Sequence, residues 1–258
     1  LIDTEFFPGL SGRVALVTGA ASGVGQAVTE SLLRYGVIVA GLDITAEGIP
    51  QGAKVILADV RDQAAVTKAI DDFAASHGCL DVLVNNAGVS YTGKVEDGDE
   101  ADWSRVFDIN VFGQLRVMRA ALPWLRKSGS ASVIVMSSCT AINGIPERVV
   151  YSATKGAVQS MSIAMATDLV AEGIRVNTIS PGTVDTPFMR ELASRTPDPA
   201  ATRAAHEARQ PTGKMVDPNE IGLAVAYLAS TISKSVTGTT LVVDGGMGAL
   251  RLAAKAKQ

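Results

Sequence analysis

The feature that most restricts the fold of this chain is an alternation of two kinds of segment. Short runs rich in β-branched residues recur at 14–18, 37–42, 54–58, 82–85, 132–137, 175–180 and 240–243, and most are apolar at successive positions. A strand turns successive side chains to opposite faces, so a run that is apolar throughout is buried on both. Between these runs lie alanine-rich segments of helical length at 25–35, 63–77, 101–126, 151–172 and 219–229. Strands buried on both faces need helices on both, which predicts a doubly wound α/β fold: a parallel sheet of about seven strands between two helical layers.

The chain has 258 residues, no linker, no repeat and no low-complexity block, so one domain spanning 1–258 is expected. One stretch escapes the alternation. Residues 186–215 contain Pro187, Pro197, Pro199 and Pro211 with several charges, and this irregular segment is expected to act as a substrate lid. Hydrophobic residues make up 47 % and mean hydropathy is +0.24. No apolar run approaches the roughly 18 to 20 residues needed to cross a bilayer, and no membrane partner is expected. Net charge is -3, and the 23 Lys and Arg are scattered rather than gathered in a stripe, which argues against nucleic acid. The first residues carry acids and no basic region, which predicts no secretory signal, and Cys79 and Cys139 read as reduced thiols, so a cytoplasmic location is expected. His77 and His206 are far apart and no metal-ligand cluster is visible, so no metal is expected.

The first strand runs straight into Thr18-Gly19-Ala20-Ala21-Ser22-Gly23-Val24-Gly25, where the next helix begins. Glycine at such a turn lets the backbone approach a pyrophosphate at a helix N-terminus. The spacing is Gly-x-x-x-Gly-x-Gly, not the usual Gly-x-Gly-x-x-Gly, so the strand-to-helix context carries the reading. Asp43 ends the second strand, 18 residues beyond Gly25, where a carboxylate takes both hydroxyls of an adenosine ribose and repels a 2′-phosphate. With no arginine in the glycine turn or just after Asp43, the expected cofactor is NAD. Asp59 and Val60 after the third strand face the adenine edge in this reading, and Asn85-Asn86-Ala87-Gly88 after the fourth line the cofactor cleft. All these turns follow strand C-termini, the edge at which open parallel sheets bind ligands.

A proton-transfer set follows. Tyr151 lies thirteen positions after Ser138, and Lys155 lies four after Tyr151. At helical i, i+4 spacing the ammonium stands beside the phenol and is expected to make it more acidic, toward the range in which it accepts an alcohol's proton, while Ser138 supplies a neutral hydrogen bond.

Taken together, Thr18 to Gly25, Asp59, Asn85 to Gly88, Asn110, Ser138, Tyr151, Lys155 and Pro181-Gly182-Thr183 resemble the classical short-chain dehydrogenase/reductase family, a Rossmann fold, across nearly the whole chain. The resemblance implies Tyr151 as acid/base, Lys155 as the group that tunes it and holds the nicotinamide ribose, and Ser138 as the donor that orients the substrate oxygen. It implies Asn110 as the fourth catalytic member through its backbone carbonyl; on the residues alone Asn110 reads equally as a helix kink. Pro181, Gly182 and Val184 would close over the nicotinamide, with Thr183 or Thr186 near the phosphates. A homotetramer is also implied, built on the helices that carry Trp103, Val106, Phe107, Val111, Phe112, Leu115 and Met118; packing of these residues in the chain's own core is the alternative.

The segment 183–188, followed by Glu207-Ala208-Arg209-Gln210-Pro211-Thr212-Gly213, resembles a narrower branch that acts on small hydroxy acids, among them 2-keto-3-deoxy sugar acids and 3-hydroxybutyrate. Arg148, three residues before Tyr151, and Arg209 in the lid are the candidates to bind the carboxylate, against pairing with the adjacent Glu147 and Glu207. An arginine expected shortly after Thr186-Pro187 in the hydroxybutyrate enzymes is Leu192 here, with Arg190 and Arg195 as candidate substitutes. Ser194, Thr196 and Asp198 give the lid a polar composition that suits a polyhydroxylated acid. The favoured reading is an NAD-dependent oxidation of a 2-keto-3-deoxy sugar acid at a secondary hydroxyl. Simple hydroxy acids, sugars or polyols, a carbonyl reductase of acyl thioesters and a non-catalytic NAD sensor or scaffold are the alternatives.

Overall fold

The structure, a computed structural model, describes residues 6–252. For the tail 245–258, a frayed terminus is the favoured reading from the sequence and approach to a neighbouring site the alternative; its last residues, with Lys255 and Lys257, lie outside that range. In chain order the elements are β1 (Val14–Thr18), α1 (Gly23–Arg34), β2 (Ile38–Asp43), β3 (Lys54–Leu57), α2 (Gln63–Ala75), β4 (Val82–Asn85), α3 (Glu100–Phe107), α4 (Gln114–Leu125), β5 (Ser132–Met136), α5 (Val149–Leu169), β6 (Arg175–Pro181), α6 (Pro187–Ser194), α7 (Pro199–Glu207), α8 (Pro218–Ala229) and β7 (Thr240–Val243).

Every residue of β1, β4 and β5 is buried, so these strands form the middle of the sheet. The seven strands run parallel in the order β3-β2-β1-β4-β5-β6-β7. Their side chains divide between two cores as strand geometry requires. Val14 and Leu16 of β1 join Leu83, Val133 and Val135 under Ile70 of α2, Leu125 of α4 and Val158 of α5. Ala15 and Val17, one position on, join Val82, Val84 and Ile134 under Leu32 of α1 and Ile221 and Leu228 of α8. The strand order reverses direction at β1 and β4, whose C-terminal ends part there and open a cleft.

One expectation is refined and one corrected. The helix expected over 101–126 forms, with α3 and α4 continuous through a wide π-helical turn, Asp108–Gly113, spanned by an Arg116–Asp108 ion pair at 2.6 Å. Gly113 comes so close to the loop after β3 that a Cβ there would stand 2.8 Å from Val60 Cγ2, which explains the glycine at that point. The stretch 186–215, expected to be irregular, is largely helical. Thr186 and Asp198 each accept a backbone N–H of the helix they precede, and Pro187 and Pro199 occupy first helical positions, where a missing N–H costs nothing. Of the four prolines, Pro187 and Pro199 are starters, while Pro197 and Pro211 lie in bends and turns.

Candidate active site

Above the strand C-termini lies a cleft of about 730 Å3. The residues singled out for cofactor and carboxylate line it: Gly19, Ser22 to Gly25, Asp43, Asp59, Val60, Asn86 to Gly88, Ser138, Arg148, Tyr151, Lys155, Pro181, Gly182, Val184, Thr186 and Arg209. Asn110, and Asn85 before Asn86, do not.

At one end, the β1–α1 turn is packed as closely as backbone allows. A Cβ on Gly25 would stand 1.9 Å from the Gly19 carbonyl oxygen, and one on Gly19, at φ +67, 2.9 Å from Asn86 Nδ2. The Thr18 hydroxyl oxygen accepts the N–H groups of Asn86 and Ala87 at 2.9 and 3.0 Å, and Asn86 Nδ2 donates to the Thr18 carbonyl, which knits the two parting strands together. The helix that starts here differs from α2, α3, α6, α7 and α8, each of which has a capping side chain. Ser22 makes no such bond and the first turn of α1 holds no acid. The positive end of α1 therefore faces the cleft without an internal anion, which fits a pyrophosphate.

The Asp43 carboxylate is oriented by two backbone donors, Ala21 N–H at 3.0 Å and Ile44 N–H at 2.7 Å. Arg61, not foreseen as a site residue, also lines the cleft, but its guanidinium grips Asp59 at 2.6 to 3.1 Å. That hydrogen bond holds the Asp59 carboxyl below its usual range.

In the middle stand Ser138, just past β5, and Tyr151 and Lys155 on the first turns of α5. Lys155 is 4 % exposed; its Nζ donates to the Met136 carbonyl at 2.9 Å and lies 5.7 Å from the Tyr151 ring centre. Burial pushes the Lys155 pKa down to about 8. The expectation that Tyr151 is made more acidic is not met: burial pushes the phenol up to about 12, and the hydrogen bond from Ser138 and the charge of Arg148 only partly oppose it. Both shifts share one cause, since a tightly packed site disfavours whichever form is charged. Cys139, beside Ser138 on the cleft wall, is buried and its thiol is likewise pushed up, which leaves it a poor nucleophile.

Asn110 sits inside the wide turn, fully buried. Its Oδ1 accepts the Val89 N–H at 2.7 Å, and Nδ2 donates to the Val89 carbonyl at 2.9 Å and to Thr154 Oγ1 at 3.1 Å. Through it the turn fixes the loop after β4 against α5, one turn from Tyr151.

At the far end, Arg148 and Arg209 stand on the wall, and neither takes a carboxylate among the described residues. Arg148 Nη1 donates to Ser90 Oγ, the Tyr91 carbonyl and Thr92 Oγ1 at 2.8 to 3.0 Å, not to Glu147. Glu207 pairs with Arg203 instead of Arg209. The Arg209 guanidinium is held below its ordinary pKa by partial desolvation and then by the charge of Arg148, so the two cations feel one another. Glu147, just before Arg148, has φ +61, the left-handed region that a non-glycine residue enters at a cost of roughly 1 kcal/mol or more.

Two expectations about the lid fail on contact. Arg190 is held by Asp185 and Arg195 by Glu191, so neither substitutes for an arginine at 192. Ser194 Oγ donates to the Glu191 carbonyl, Thr196 Oγ1 to the Ala193 carbonyl, and Asp198 caps α7. Their polarity serves the lid's own helices. The wall is instead made by Val89, Ile145, Phe188 and Met189, which carried no periodic signal that would have marked them.

A family model described as enoyl-(acyl carrier protein) reductase matches residues 19–248. The chain is 39 % identical over 245 residues to 2-keto-3-deoxy-L-fuconate dehydrogenase of Xanthomonas campestris pv. campestris, covering 92 % of this chain and 80 % of that one. It is 37 % identical over 243 residues to dehydrogenase/reductase SDR family member 6 of Rattus norvegicus, at 92 % and 98 % coverage. Among solved structures, the ligand-free aldohexose dehydrogenase of Thermoplasma acidophilum superposes with a TM-score of 0.92 at 31 % identity, covering 97 % of this chain and 100 % of that one.

Proposed function

The chain belongs to the short-chain dehydrogenase/reductase family, and from that premise we propose that it oxidises a secondary hydroxyl of a small hydroxy acid with NAD, a 2-keto-3-deoxy sugar acid being the favoured substrate. As a family member it is an oxidoreductase acting on CH–OH groups. The observation that carries the substrate class is the pair Arg148 and Arg209, two cations on one wall with the Ser138–Tyr151 pair and, among the described residues, no carboxylate paired with them. A bound carboxylate would accept from this pair and relieve their mutual repulsion.

NAD is favoured over NADP because Asp43 presents a carboxylate where a 2′-phosphate would stand, while Arg61 is already committed to Asp59. The same preference weighs against an acyl-thioester reductase. Bound NAD supplies a hydride acceptor at the carbinol carbon. The chain's own residues do the rest: Arg148 and Arg209 fix the acid end, Ser138 orients the hydroxyl, and Tyr151 Oη takes its proton. Lys155 Nζ, anchored on the Met136 carbonyl, keeps a positive charge 5.7 Å from the centre of the Tyr151 ring. The complete Ser138, Tyr151 and Lys155 set stands against a non-catalytic sensor.

A second reading is a hydroxy acid with a hydrocarbon body, of the 3-hydroxybutyrate type, favoured by the apolar wall of Val89, Ile145, Phe188 and Met189. NADH formation would be followed with 2-keto-3-deoxy sugar acids, 3-hydroxybutyrate and neutral sugars, in the parent and in Arg148→Ala and Arg209→Ala. The proposal expects activity on acids that falls about 10- to 100-fold in kcat/KM in either variant, the loss of one charged hydrogen bond. Activity on neutral sugars that ignores both arginines would overturn it. The reading includes a homotetramer built on α4 and α5, and a cytoplasmic location consistent with the free thiols of Cys79 and Cys139.

A further inference from the structure

Gln210 is 1 % exposed, and both ends of its carboxamide are used. Its Oε1 accepts the Thr183 N–H at 3.1 Å, and its Nε2 donates to the His206 carbonyl at 2.9 Å and the Glu207 carbonyl at 3.3 Å. Thr183 stands in the turn after β6 that lines the cofactor end of the cleft; His206 and Glu207 close α7. Arg209, on the acid end, is the residue just before Gln210. One buried side chain thus ties the loop expected to meet the nicotinamide to the backbone that carries the carboxylate-binding arginine.

The surroundings leave this tie little slack. On the other side the segment is held by the Thr212 N–H on the Gly245 carbonyl at 3.2 Å, and a Cβ on Gly245 would stand 2.5 Å from Thr212 Oγ1. The Asp185–Arg203 ion pair joins the same elements, but at a guanidinium 44 % exposed, where water and salt screen it. A buried amide with three partners is the stiffer connection, because breaking it leaves polar atoms without water.

We propose that Gln210 is a positioning residue that couples the two halves of the site: ordering of the 181–184 loop by NAD or NADH orders Arg209, so that the acid binds more tightly once the cofactor is in place. By linkage, the acid strengthens cofactor binding by the same factor. This rests on the reading of the site as an NAD and hydroxy-acid site.

Hydrogen–deuterium exchange with NADH as the only added ligand tests it without turnover. In the parent chain, NADH slows exchange in residues 181–186 and also in 206–213. In Gln210→Met, which keeps the length and apolar bulk, protection of 181–186 persists while 206–213 loses about tenfold of its NADH-dependent protection. Gln210→Glu keeps an oxygen facing Thr183 and recovers part of the effect, a rescue that a loss of general stability would not show. Protection confined to 181–186 in the parent overturns the coupling, as does a Gln210→Met variant that transmits in full. Should Gln210→Met fail to fold, the parent and Gln210→Glu still decide. Absence of protection at either segment in the parent sinks the NAD reading and the coupling with it.

Discussion

Tyr151 and Lys155 are opposed in charge preference yet line one cleft, Lys155 buried and Tyr151 half-buried, and the consequences are measurable at each. With the phenol pushed up to about 12, the phenolate is scarce at neutral pH, so kcat/KM for oxidation should climb with pH from roughly 7, by up to about tenfold per unit, and level off above about 8, where Lys155 loses its charge. A flat profile there would mean that another group takes the proton. Tyr151→Phe should keep NADH binding and lose about 10²- to 10⁴-fold in turnover, checked by fluorescence titration beside the rate assay. Lys155 is a buried cation with its pKa at about 8 against 10.5 in an unfolded chain. Between those values the unfolded chain binds more protons, so stability rises with pH through that window, and below about pH 8 the full penalty stands, on the order of 3 kcal/mol. Lys155→Met removes the charge but leaves the Met136 carbonyl without its donor, so the variant should be more stable than the parent by about 1 to 3 kcal/mol at pH 7. By pH 10.5 that advantage should be gone, as read by urea unfolding at both pH values. These residues were singled out by their spacing together with the family resemblance, and the cleft brings them together. Their pKa directions were not legible, because spacing places an ammonium near a phenol but says nothing of how much water each keeps.

Among the elements, strands were easier to read than the segments that work above them. Runs apolar on both faces have one stable solution, a central parallel strand, and β1, β4 and β5 took it. The widening between α3 and α4 left no such mark: DINVFG is apolar enough to continue an α-helix, and the approach of Gly113 to Val60 accounts for the glycine alone. The lid was misread because proline was weighed as a breaker without asking whether Thr186 and Asp198 stood one residue before it to start a helix. The same distinction between elements separates the two arginines. Arg148 also pins the loop after β4 through Ser90, Tyr91 and Thr92, the loop that Asn110 holds from behind. Arg148→Ala should therefore lower kcat as well as raise KM for the acid, whereas Arg209→Ala should act mainly on KM, which steady-state kinetics on one substrate would separate. An equal loss in KM alone from both would show that the loop needs no pin.

At the scale of the whole molecule, the helices α4 and α5 hold more apolar surface than one sheet face can cover. Val117, Met118, Leu125, Val158 and Leu169 go into the core beneath, as expected for an inward stripe. Phe112, Val149, Ile163 and Val170, on or beside the same helices, stay 40 to 54 % exposed. Scattered exposed apolar side chains are ordinary, but those of α5 are not confined to the face that meets the sheet, and the outward ones are left without cover. A second copy of the same helix pair would supply it, since a two-fold axis sets a patch against itself. The proposed tetramer then has a direct test. Light scattering at micromolar concentration should give four times the 26.7 kDa chain mass, and Ile163→Glu, which places a charge in the covered face, should yield smaller species. Dissociation should also weaken the site, because α5 carries Tyr151 and Lys155 at one end and Ile163 two to three turns further along. A chain that runs as a monomer with full activity would return those side chains to ordinary surface and leave the site self-sufficient.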